Sequence, residues 1–360
     1  MKLLVLDQFS EMGGAQQCLL DLLPAIRERG WTALIGMPGG GEMFERARGL
    51  GFEAEAIECG PYESGRKSVV DWGRFATRTP LLVQQIRKLS ARAGAELLYV
   101  NGPRVLPAAA LAGLDCRIVF HTHSFVKRGP ARRLAGMALR KLNARLVGQS
   151  RFVTEPWKEY VDAGRIDVIY NGVAGPERPI ERPTRPAPHV GCIGRIAPEK
   201  GQMEFVKAAA LIHRALPQCR FAIYGAAMFG GAQYESRVRS AAASLPVDFA
   251  GWVDDVYDAM TCLDVLLVPS AAAEGTTRVI LEAFAAGLPV VAFGSGGIPE
   301  VVEHGVNGML VNSVEEMAEA AVRLLKGDGQ TIGRAARETW ERRFRVERWR
   351  EELLRVLATP

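Results

Sequence analysis

Short apolar runs alternate with longer amphipathic segments along this chain, and the alternation stops once near the middle before it restarts. Each apolar run has the length of a buried strand, and a turn and a helical pattern follow it. Strands that alternate with helices predict a parallel sheet covered on both faces. The strand-like runs are residues 3–6, 33–35, 97–100, 118–120, 146–147 and 168–170, and then 190–193, 221–224, 265–268 and 290–292.

The break between the two series is rich in proline, as a linker would be. We therefore predict an α/β protein with two doubly wound, Rossmann-like domains that face a cleft. The amphipathic pattern from Trp340 to Leu357 predicts one long helix at the end of the chain. The predicted parts are a first domain over residues 1–175, a linker over 176–188, a second domain over 189–340, and a C-terminal helix over 341–360 that packs back toward the first domain.

The composition is that of a soluble globular protein, with 48% apolar and 24% charged residues. The longest unbroken apolar stretch, residues 284–293, is too short to span a membrane. The first residues, up to Asp7, meet a charge too early for a signal peptide, so we expect a cytoplasmic protein. The six cysteines are scattered without a Cys-x-x-Cys pair, which favours reduced thiols and argues against a structural zinc site.

The segment from Glu274 to Glu282 carries the most specific chemical signal. A carboxylate stands at each end, and the apolar run between them predicts a helix that begins shortly after Glu274. The unpaired N–H groups at the start of such a helix bind phosphate. Glu282 lies about six residues beyond Thr276, roughly 9 Å along a helix. This spacing suits a ligand with hydroxyl groups at both ends and a diphosphate between them, such as a nucleotide sugar.

Two further cations follow the first strand of the second domain. Arg195 and Lys200 stand in the segment 194–201, at the predicted carboxyl end of that strand, where a diphosphate would lie. Arginine offers a planar fork of donors and lysine a compact charge, so the pair can hold two phosphoryl groups. Neither domain has a Gly-x-Gly-x-x-Gly fingerprint after its first strand or a phosphate loop that ends in Gly-Lys-Ser/Thr. The sequence therefore argues against a dinucleotide oxidoreductase and against a kinase.

The chain resembles the retaining glycosyltransferases of family 4, also known as glycosyl transferases group 1, which have the GT-B fold. The resemblance covers essentially the whole chain, because seven short segments match in order and spacing. They are Gly13-Gly14, residues 168–173, Gly194-Arg195 with Lys200-Gly201, residues 249–255, Pro269-Ser270, the pair Glu274 and Glu282, and residues 296–300.

The resemblance implies roles for the residues of the second domain. Arg195 and Lys200 match residues that bind the donor diphosphate and stabilise it as it leaves. Glu274 matches a residue that contacts hydroxyl groups of the transferred sugar, and Glu282 matches one that binds the ribose. The remaining residues expected to bind the donor are Gly275, Thr276 and Thr277, whose amides complete the phosphate site, together with Trp252 and Val253. Family members often carry Phe-Gly or Leu-Pro in place of Thr276-Thr277, which leaves the donor preference open.

In the first domain the resemblance points to Gly14 and to a histidine. Gly14 matches a glycine that comes close to the phosphate and sugar, where only glycine permits such close approach. The family's histidine stands just past the fourth strand and reaches the sugar. Both His121 and His123 fit this position, and we favour His123 because the small polar Ser124 follows it.

The function implied is a retaining, metal-independent glycosyltransferase that moves a hexose from a nucleotide-diphosphate sugar to a hydroxyl group of a glycan or lipid-linked acceptor. UDP is the first choice of carrier and GDP the second. No Asp-x-Asp stands at a strand end, so we expect neither a metal nor a cofactor. The expected pathway is the synthesis of bacterial envelope glycolipids or polysaccharides. Two alternatives are a non-catalytic sugar-nucleotide-binding partner and a GT-B sugar-nucleotide epimerase; the set of Arg195, Lys200, Glu274 and Glu282 argues against the first, and the spacing of the two glutamates against the second.

The most polarised part of the chain is residues 127–151, from Lys127 to Arg151, which hold eight basic residues and no acidic one. Apolar residues such as Leu134 and Met137 lie among them at helical spacing. One interpretation is a helix that rests on an anionic membrane and makes the protein peripheral on the inner face of the plasma membrane. The other is a solvated helix whose apolar stripe packs on its own sheet. We expect no nucleic-acid partner.

Overall fold

The computed structural model describes residues 1–59, 69–183, 185–227, 231–270 and 274–359. The chain divides into two compact units, and the first contains Met1–Tyr170 together with Trp349–Pro360. The second unit is Asn171–Arg348. The boundary after residue 175 and the linker over 176–188, both expected from the sequence, lie within the second unit.

The proline-rich segment is packed against the second unit. The Arg337 guanidinium donates hydrogen bonds to the carbonyl oxygens of Pro176 and Glu177, at 2.9 and 3.0 Å. The backbone N–H of Ile180 donates to the carbonyl of Ala286 at 3.3 Å. These bonds hold the start of the segment against the rest of the second unit, although its composition is that of a linker.

The first unit is a parallel sheet of seven strands in the order β3-β2-β1-β4-β5-β6-β7. Short 3-10 turns connect some of the elements. The elements are β1 (Lys2–Asp7), α1 (Gly14–Glu28), β2 (Thr32–Met37), α2 (Glu42–Gly49), β3 (Glu53–Ala56), α3 (Val69–Ala93), β4 (Leu97–Asn101), α4 (Leu106–Ala112), β5 (Arg117–Thr122), α5 (Pro130–Lys141), β6 (Arg145–Gly148), α6 (Arg151–Thr154) and β7 (Ile166–Val168).

The second unit is a parallel sheet of six strands in the order β10-β9-β8-β11-β12-β13. Its elements are β8 (His189–Ile193), α7 (Gln202–Ala215), β9 (Arg220–Tyr224), α8 (Ala232–Ala242), β10 (Val247–Gly251), α9 (Val256–Thr261), β11 (Val265–Val268), α10 (Arg278–Ala285), β12 (Val290–Phe293), β13 (Met309–Val311), α11 (Val314–Arg323) and α12 (Gly329–Arg343), followed by α13 (Val346–Ala358), which continues into the first unit.

The two doubly wound α/β domains predicted from the apolar runs are confirmed. Inner strands such as β4 and β11 are buried along their whole length, because helices cover both faces of a parallel sheet. The helix predicted after Glu274 is present as α10, and Gly287, with a φ of +64°, follows its end. The short strand predicted next is β12.

The prediction of a strand at residues 168–170 is wrong by two positions. The strand is β7, and its first residue, Ile166, pairs with Leu146 of β6. Pairing ends at Val168 because its partner, Gly148, is the last residue of β6.

The prediction of one long helix from Trp340 to Leu357 is also wrong. The helical path is interrupted between α12 and α13, where Phe344 has a φ of −126°. At this point Arg345 forms a parallel bridge with Val173, and the N–H of Val173 donates to the carbonyl of Phe344 at 2.9 Å. Phe344 is fully buried. The backbone at Phe344 and Arg345 pairs with the chain near Val173, and this pairing replaces two helical positions.

Candidate functional site

The second unit brings Lys200 and Glu274 together at the carboxyl ends of β8 and β11. The strand order reverses between these strands, and ligands of open parallel sheets bind at such a switch point. Lys200 ends a 3-10 turn that follows β8, and Glu274 lies in the loop before α10. Its Oε1 lies 2.7 Å from Nζ of Lys200, and both side chains are partly buried. The residues that the sequence assigned to the diphosphate and to the sugar therefore form an ion pair.

Arg195 is the second cation at this end of the sheet. Its Nη2 lies 2.6 Å from Oε1 of Glu199 in the same loop. Its carbonyl accepts a hydrogen bond of 2.9 Å from Nε2 of Gln202, a fully buried residue at the start of α7. Arg195 and Lys200 thus emerge from one fixed turn, and a guanidinium beside an ammonium can bind two phosphoryl groups.

At two glycines the loops of this site approach one another so closely that no side chain would fit. A Cβ atom on Gly201 would lie 2.0 Å from the carbonyl oxygen of Pro269, and one on Gly296 would lie 2.2 Å from that of Glu274. Both glycines also have a positive φ, +72° and +58°, which side chains rarely permit. They therefore hold the loops after β8 and β12 against the loop that carries Glu274.

The start of α10 forms a positive end beside Glu274. Gly275, Thr276 and Thr277 are buried, and Thr277 precedes the first helical residue in an extended conformation. The first N–H groups of a helix have no partner within the helix and favour anions. Oγ1 of Thr277 is buried without a hydrogen-bond partner among the described residues. Buried hydroxyls normally have a partner. The donor-binding role of Gly275, Thr276 and Thr277 stays a prediction.

Glu282 lies one turn further along α10 and is paired with Arg278. Nε of Arg278 lies 2.7 Å from Oε1 of Glu282, and both side chains are largely buried. Burial, and secondarily the Glu282 carboxylate, raise the pKa of the nearby Tyr257 hydroxyl. The sequence did not single out Arg278, although its position four residues before Glu282 on a helix is a signal for such a pair.

Trp252 and Val253 lie directly after β10. Trp252 is 54% exposed, and Val253 is half-buried. The described contacts do not join either residue to Lys200 or Glu274, so their donor-binding role stays a prediction.

The first unit brings a second set of polar residues together. Asp7, at the end of β1, is fully buried, and its Oδ2 accepts a hydrogen bond of 2.5 Å from Nδ2 of Asn101, at the end of β4. Oδ1 of Asn101 lies 2.7 Å from Nε2 of His123, just beyond β5. Three residues on neighbouring strand ends thus form one hydrogen-bonded chain. The switch point of this sheet lies between β1 and β4.

His121 lies beside His123 but is enclosed in the protein. It is fully buried, and its Nδ1 shares a hydrogen bond of 2.5 Å with the hydroxyl of Tyr99. The ring centroids of the two histidines are 4.0 Å apart. His123 is partly exposed. The choice of His123 as the residue that faces the sugar stays a prediction.

Burial shifts the pKa values of the two histidines and of Asp7 in opposite directions. It lowers the pKa of His123 to about 4 and that of His121 well below its ordinary value, with a smaller effect of His123 on His121. It raises the pKa of Asp7 to about 6, although hydrogen bonds from Asn101, Phe9 and Gln16 oppose the shift. At pH 7 both imidazoles are therefore neutral and Asp7 is an anion.

Gly14 is the first residue of α1, at the same end of the first unit's sheet. A Cβ atom placed on it would meet no atom within 4 Å. The first unit therefore leaves room for a side chain at this position, and the role that the resemblance implies for Gly14 stays a prediction.

Residues 127–151 form α5, β6 and the start of α6. Ala135, Ala138 and Leu139 of α5 pack into the core of the first unit, whereas Met137 is 49% exposed. Arg145 is paired with Asp167 at 2.6 Å. The apolar stripe of α5 thus covers its own sheet, and the exposed side chains are mainly cationic: Lys127, Arg128, Arg133, Arg140, Lys141 and Arg151. No helix in the described part of the chain has both the length and the apolar character needed to cross a membrane.

Two family models match the chain. Residues 12–174 match the model described as Glycosyltransferase Family 4, and residues 187–327 match the model described as Glycosyl transferases group 1. Together the two models cover most of both units.

Two sequence relatives resemble parts of the chain. It is 36% identical to the GDP-mannose-dependent alpha-(1-6)-phosphatidylinositol monomannoside mannosyltransferase of Mycobacterium tuberculosis (strain CDC 1551 / Oshkosh) over 176 residues, 44% of this chain and 43% of that protein. It is 31% identical to the 2-deoxystreptamine glucosyltransferase of Streptomyces kanamyceticus over 225 residues, 59% of this chain and 57% of that protein. The chain thus spans about half the length of these relatives.

Several solved structures resemble the whole chain, and one of them is a protein from Anabaena. Alr3699/HepE of Anabaena, in complex with UDP and glucose, matches it with a TM-score of 0.83 and 26% identity, and the match covers 100% of both chains. This likeness confirms the fold class that the sequence resemblance implied. The chain belongs to glycosyltransferase family 4, the glycosyl transferases of group 1, and has their GT-B fold.

Proposed function

We propose that this protein is a retaining, metal-independent glycosyltransferase. It transfers a hexose from a nucleotide-diphosphate sugar to a hydroxyl group of a glycan or lipid-linked acceptor. The observation that carries this proposal is the Lys200–Glu274 ion pair at the β8/β11 switch point, beside Arg195 and the start of α10. This arrangement offers cations and amides for a diphosphate, and a carboxylate for sugar hydroxyls.

The chemistry follows from the charge that develops in the transition state. The bond between the anomeric carbon and the phosphate oxygen breaks, and the nucleoside diphosphate leaves with an additional negative charge. Arg195, Lys200 and the first N–H groups of α10 can stabilise that charge. They do so without a metal ion. Transfer that is insensitive to a chelator such as EDTA supports this part of the proposal, and loss of transfer that Mg²⁺ or Mn²⁺ restores contradicts it.

Retention requires the acceptor to attack from the face that the leaving group occupies. We propose that the acceptor oxygen forms its bond to the anomeric carbon there and that its proton passes to the departing phosphate oxygen. No protein base is then needed. The rival mechanism uses Glu274 as a covalent nucleophile. The pairing of Glu274 with Lys200 supports the first mechanism, because the ammonium draws charge from the carboxylate and weakens it as a nucleophile.

The relatives' names support UDP or GDP as the carrier. One relative is named as GDP-mannose-dependent, and the Anabaena protein binds UDP and glucose. Acceptors differ too, since one name specifies a phosphatidylinositol monomannoside and another 2-deoxystreptamine. We propose UDP first and GDP second, and a role in envelope glycolipid or polysaccharide synthesis.

A screen of sugar nucleotides tests this function. We expect one member of a panel of UDP-, GDP- and ADP-sugars to raise the melting temperature of the wild-type protein, because a ligand of the folded state stabilises it. The same sugar nucleotide should be consumed when an acceptor is added, and the anomeric configuration of the product, read by NMR, should be that of the donor. An inverted product would contradict retention. A wild-type protein that none of the sugar nucleotides stabilises would contradict the proposed function.

We further propose that the exposed cations of residues 127–151 attract the cytoplasmic face of an anionic membrane. Charges such as Lys127, Arg128 and Arg133 point outward, while the apolar stripe of α5 is used by its own core, so the attraction would be electrostatic. Co-sedimentation with anionic vesicles should exceed that with neutral vesicles and should fall as salt is added. Equal recovery with both vesicle types would contradict the proposal.

A further inference from the structure

A row of polar residues crosses the first unit's sheet at the ends of three strands. In the strand register, Asp7 of β1 faces Asn101 of β4, and Asn101 faces His121 of β5. All three are buried. Parallel strands at the middle of a sheet normally present apolar residues, so the polar groups of this row need hydrogen-bond partners, and most of them have one.

The partners of Asp7 and Asn101 fix the orientation of the Asn101 amide. Oδ1 of Asp7 accepts hydrogen bonds from Nε2 of Gln16 and the backbone N–H of Phe9, both at 2.9 Å. Its other oxygen lies 2.5 Å from Nδ2 of Asn101, which also lies 3.4 Å from the carbonyl oxygen of Ala15. Both neighbours of Nδ2 are oxygen acceptors, so they assign the NH₂ group to this side of the amide and the oxygen to the other.

The amide orientation in turn determines the tautomer of His123. Oδ1 of Asn101 can only accept, so Nε2 of His123, 2.7 Å away, carries the proton. A neutral imidazole with a proton on Nε2 has a lone pair on Nδ1. That Nδ1 is buried and has no hydrogen-bond partner among the described residues. His123 thus presents an acceptor that the first unit itself leaves unused.

We propose that Asp7 and Asn101 are positioning residues, which hold His123 as its Nε2–H tautomer so that Nδ1 accepts a hydrogen bond from a hydroxyl group of the bound sugar. This proposal rests on the proposed function, because the hydroxyl group belongs to the substrate of that reaction. Asp7 is linked to Nε2 of His123 through two hydrogen bonds, with Asn101 between them. It thereby determines whether that nitrogen carries the proton. Nε2 of His121 is likewise buried without a partner among the described residues. His121 is less suited to this role because its whole ring is enclosed and Tyr99 occupies its Nδ1, whereas the ring of His123 is partly exposed.

The negative charge of Asp7 fixes which group donates and which accepts in the hydrogen bonds from Asp7 through Asn101 to His123. The titratable groups that face it are the Cys59 thiol, whose Sγ lies 3.5 Å from the carbonyl oxygen of Asp7, and the Tyr99 hydroxyl. Burial raises the pKa of Cys59 to about 12 and that of Tyr99 well above its ordinary value, so both are neutral. Arg104 lies close by, with its guanidinium 4.6 Å from the Phe9 ring centroid.

The substitution Asp7→Asn tests the proposal with almost no change in shape. Gln16 and Phe9 keep the oxygen of the new amide on their side, which turns its NH₂ group toward Asn101. Asn101 must then flip, so that its oxygen accepts from the new NH₂ group and its own NH₂ group faces His123. Nε2 of His123 becomes an acceptor, and the proton moves to Nδ1.

Two measurements follow this change. Long-range ¹H–¹⁵N NMR of the full chain, labelled at histidine and assigned with His123→Asn, should show Nε2–H in wild type and Nδ1–H in Asp7→Asn. With the sugar nucleotide that the wild-type protein uses, kcat/KM should fall about tenfold or more, the cost of one unsatisfied hydrogen bond. The exposed Asp162→Asn is the matched control and should change neither value. If only the KM for the donor changes, the hydroxyl group belongs to the donor sugar. If only the KM for the acceptor changes, it belongs to an acceptor sugar.

The outcomes separate the parts of the proposal. An unchanged tautomer in Asp7→Asn would overturn the positioning role of Asp7 and Asn101. A switched tautomer with an unchanged kcat/KM would overturn the acceptor role of Nδ1. If Asp7→Asn does not fold, Asn101→Ala removes the same link, and it should give a mixture of tautomers; a pure Nε2–H form there would equally contradict the proposal. A wild-type protein without transfer would refute the proposed function, whereas the tautomers would still report on Asp7 and Asn101.

Discussion

Nζ of Lys200 lies 2.7 Å from Oε1 of Glu274, although the two residues are far apart in sequence and follow different strands. Their side chains are 24% and 17% exposed, so solvent still screens the pair. An ion pair in such a position contributes on the order of 1 kcal/mol or less to stability. Its importance therefore lies in where it places a cation and a carboxylate.

The first prediction concerns this pair. Glu274→Ala and Lys200→Met should each abolish transfer or reduce kcat by at least about a hundredfold, because Lys200 stabilises the departing diphosphate and Glu274 holds the hydroxyl groups of the transferred sugar. The melting temperature should change by only a few degrees, since the pair contributes little to folding. Steady-state kinetics and thermal melts measure the two effects. A variant that transfers normally would remove its residue from the catalytic group, and a collapse of the melting temperature would show a structural role instead.

The second prediction separates Arg195 from the carboxylate that holds it. Arg195→Ala should lower kcat by about a hundredfold or more, because it removes a donor from the departing diphosphate. Glu199→Gln keeps the guanidinium and loses only the ion pair at 2.6 Å, so its effect should be less than about tenfold. Kinetics of both variants with the same donor give the comparison. Full activity in Arg195→Ala would overturn the assignment of the diphosphate site.

The third prediction concerns the ribose end of the donor. Glu282→Ala should mainly weaken donor binding, so KM for the donor should rise while kcat changes less. Arg278→Met should have the same sign and a smaller size, because it leaves the carboxylate in place but frees it from its 2.7 Å partner. Isothermal titration with the nucleoside diphosphate alone provides a second measurement. Equal binding by wild type and Glu282→Ala would contradict the assignment.

The fourth prediction uses two glycines with similar backbones and different surroundings. Gly305→Ala should cost about 1–2 kcal/mol, since Gly305 has a φ of +75° and no atom within 4 Å of a new Cβ. Gly296→Ala should cost more and should also reduce transfer, because its Cβ would lie 2.2 Å from the Glu274 carbonyl oxygen and would displace that loop. Thermal melts and kinetics compare the variants. Equal effects would show that the contact does not position Glu274.

The sequence predicted the inner strands and failed at the edges of both sheets. The strands it missed, β3, β10 and β13, all lie at a sheet edge, and the misplaced β7 is the fourth edge strand. An inner strand such as β11 is buried throughout, so it appears as a continuous apolar run. β3 and β10 are partly exposed, so they lack that run and their position depends on pairing. The break before α13 depends in the same way on pairing with Val173.

The candidate site shows the same division. Arg195, Lys200 and Glu274 could be found because charged residues that follow buried strands are conspicuous. Asp7 could not, because a carboxylate at the end of β1 looks like any solvated strand end until the structure shows it to be fully buried. Its partner Asn101 is 94 residues away in the chain, so no local pattern joins them.

The last prediction is a pH dependence of stability that belongs to Asp7. Burial raises its pKa from 3.8 to about 6, so between these values the folded protein binds a proton that the unfolded chain does not. Its contribution to the free energy of unfolding therefore increases as the pH falls from 7 to 4, by up to about 3 kcal/mol. His121 and His123 act in the opposite direction, because their lowered pKa values mean that the unfolded chain takes up their protons first. Both histidines remain buried in Asp7→Asn, so their desolvation largely cancels in the difference in stability between wild type and this variant. Thermal melts at pH 7, 6, 5 and 4 should show this difference growing in favour of wild type. A difference that stays constant over this range would contradict the raised pKa.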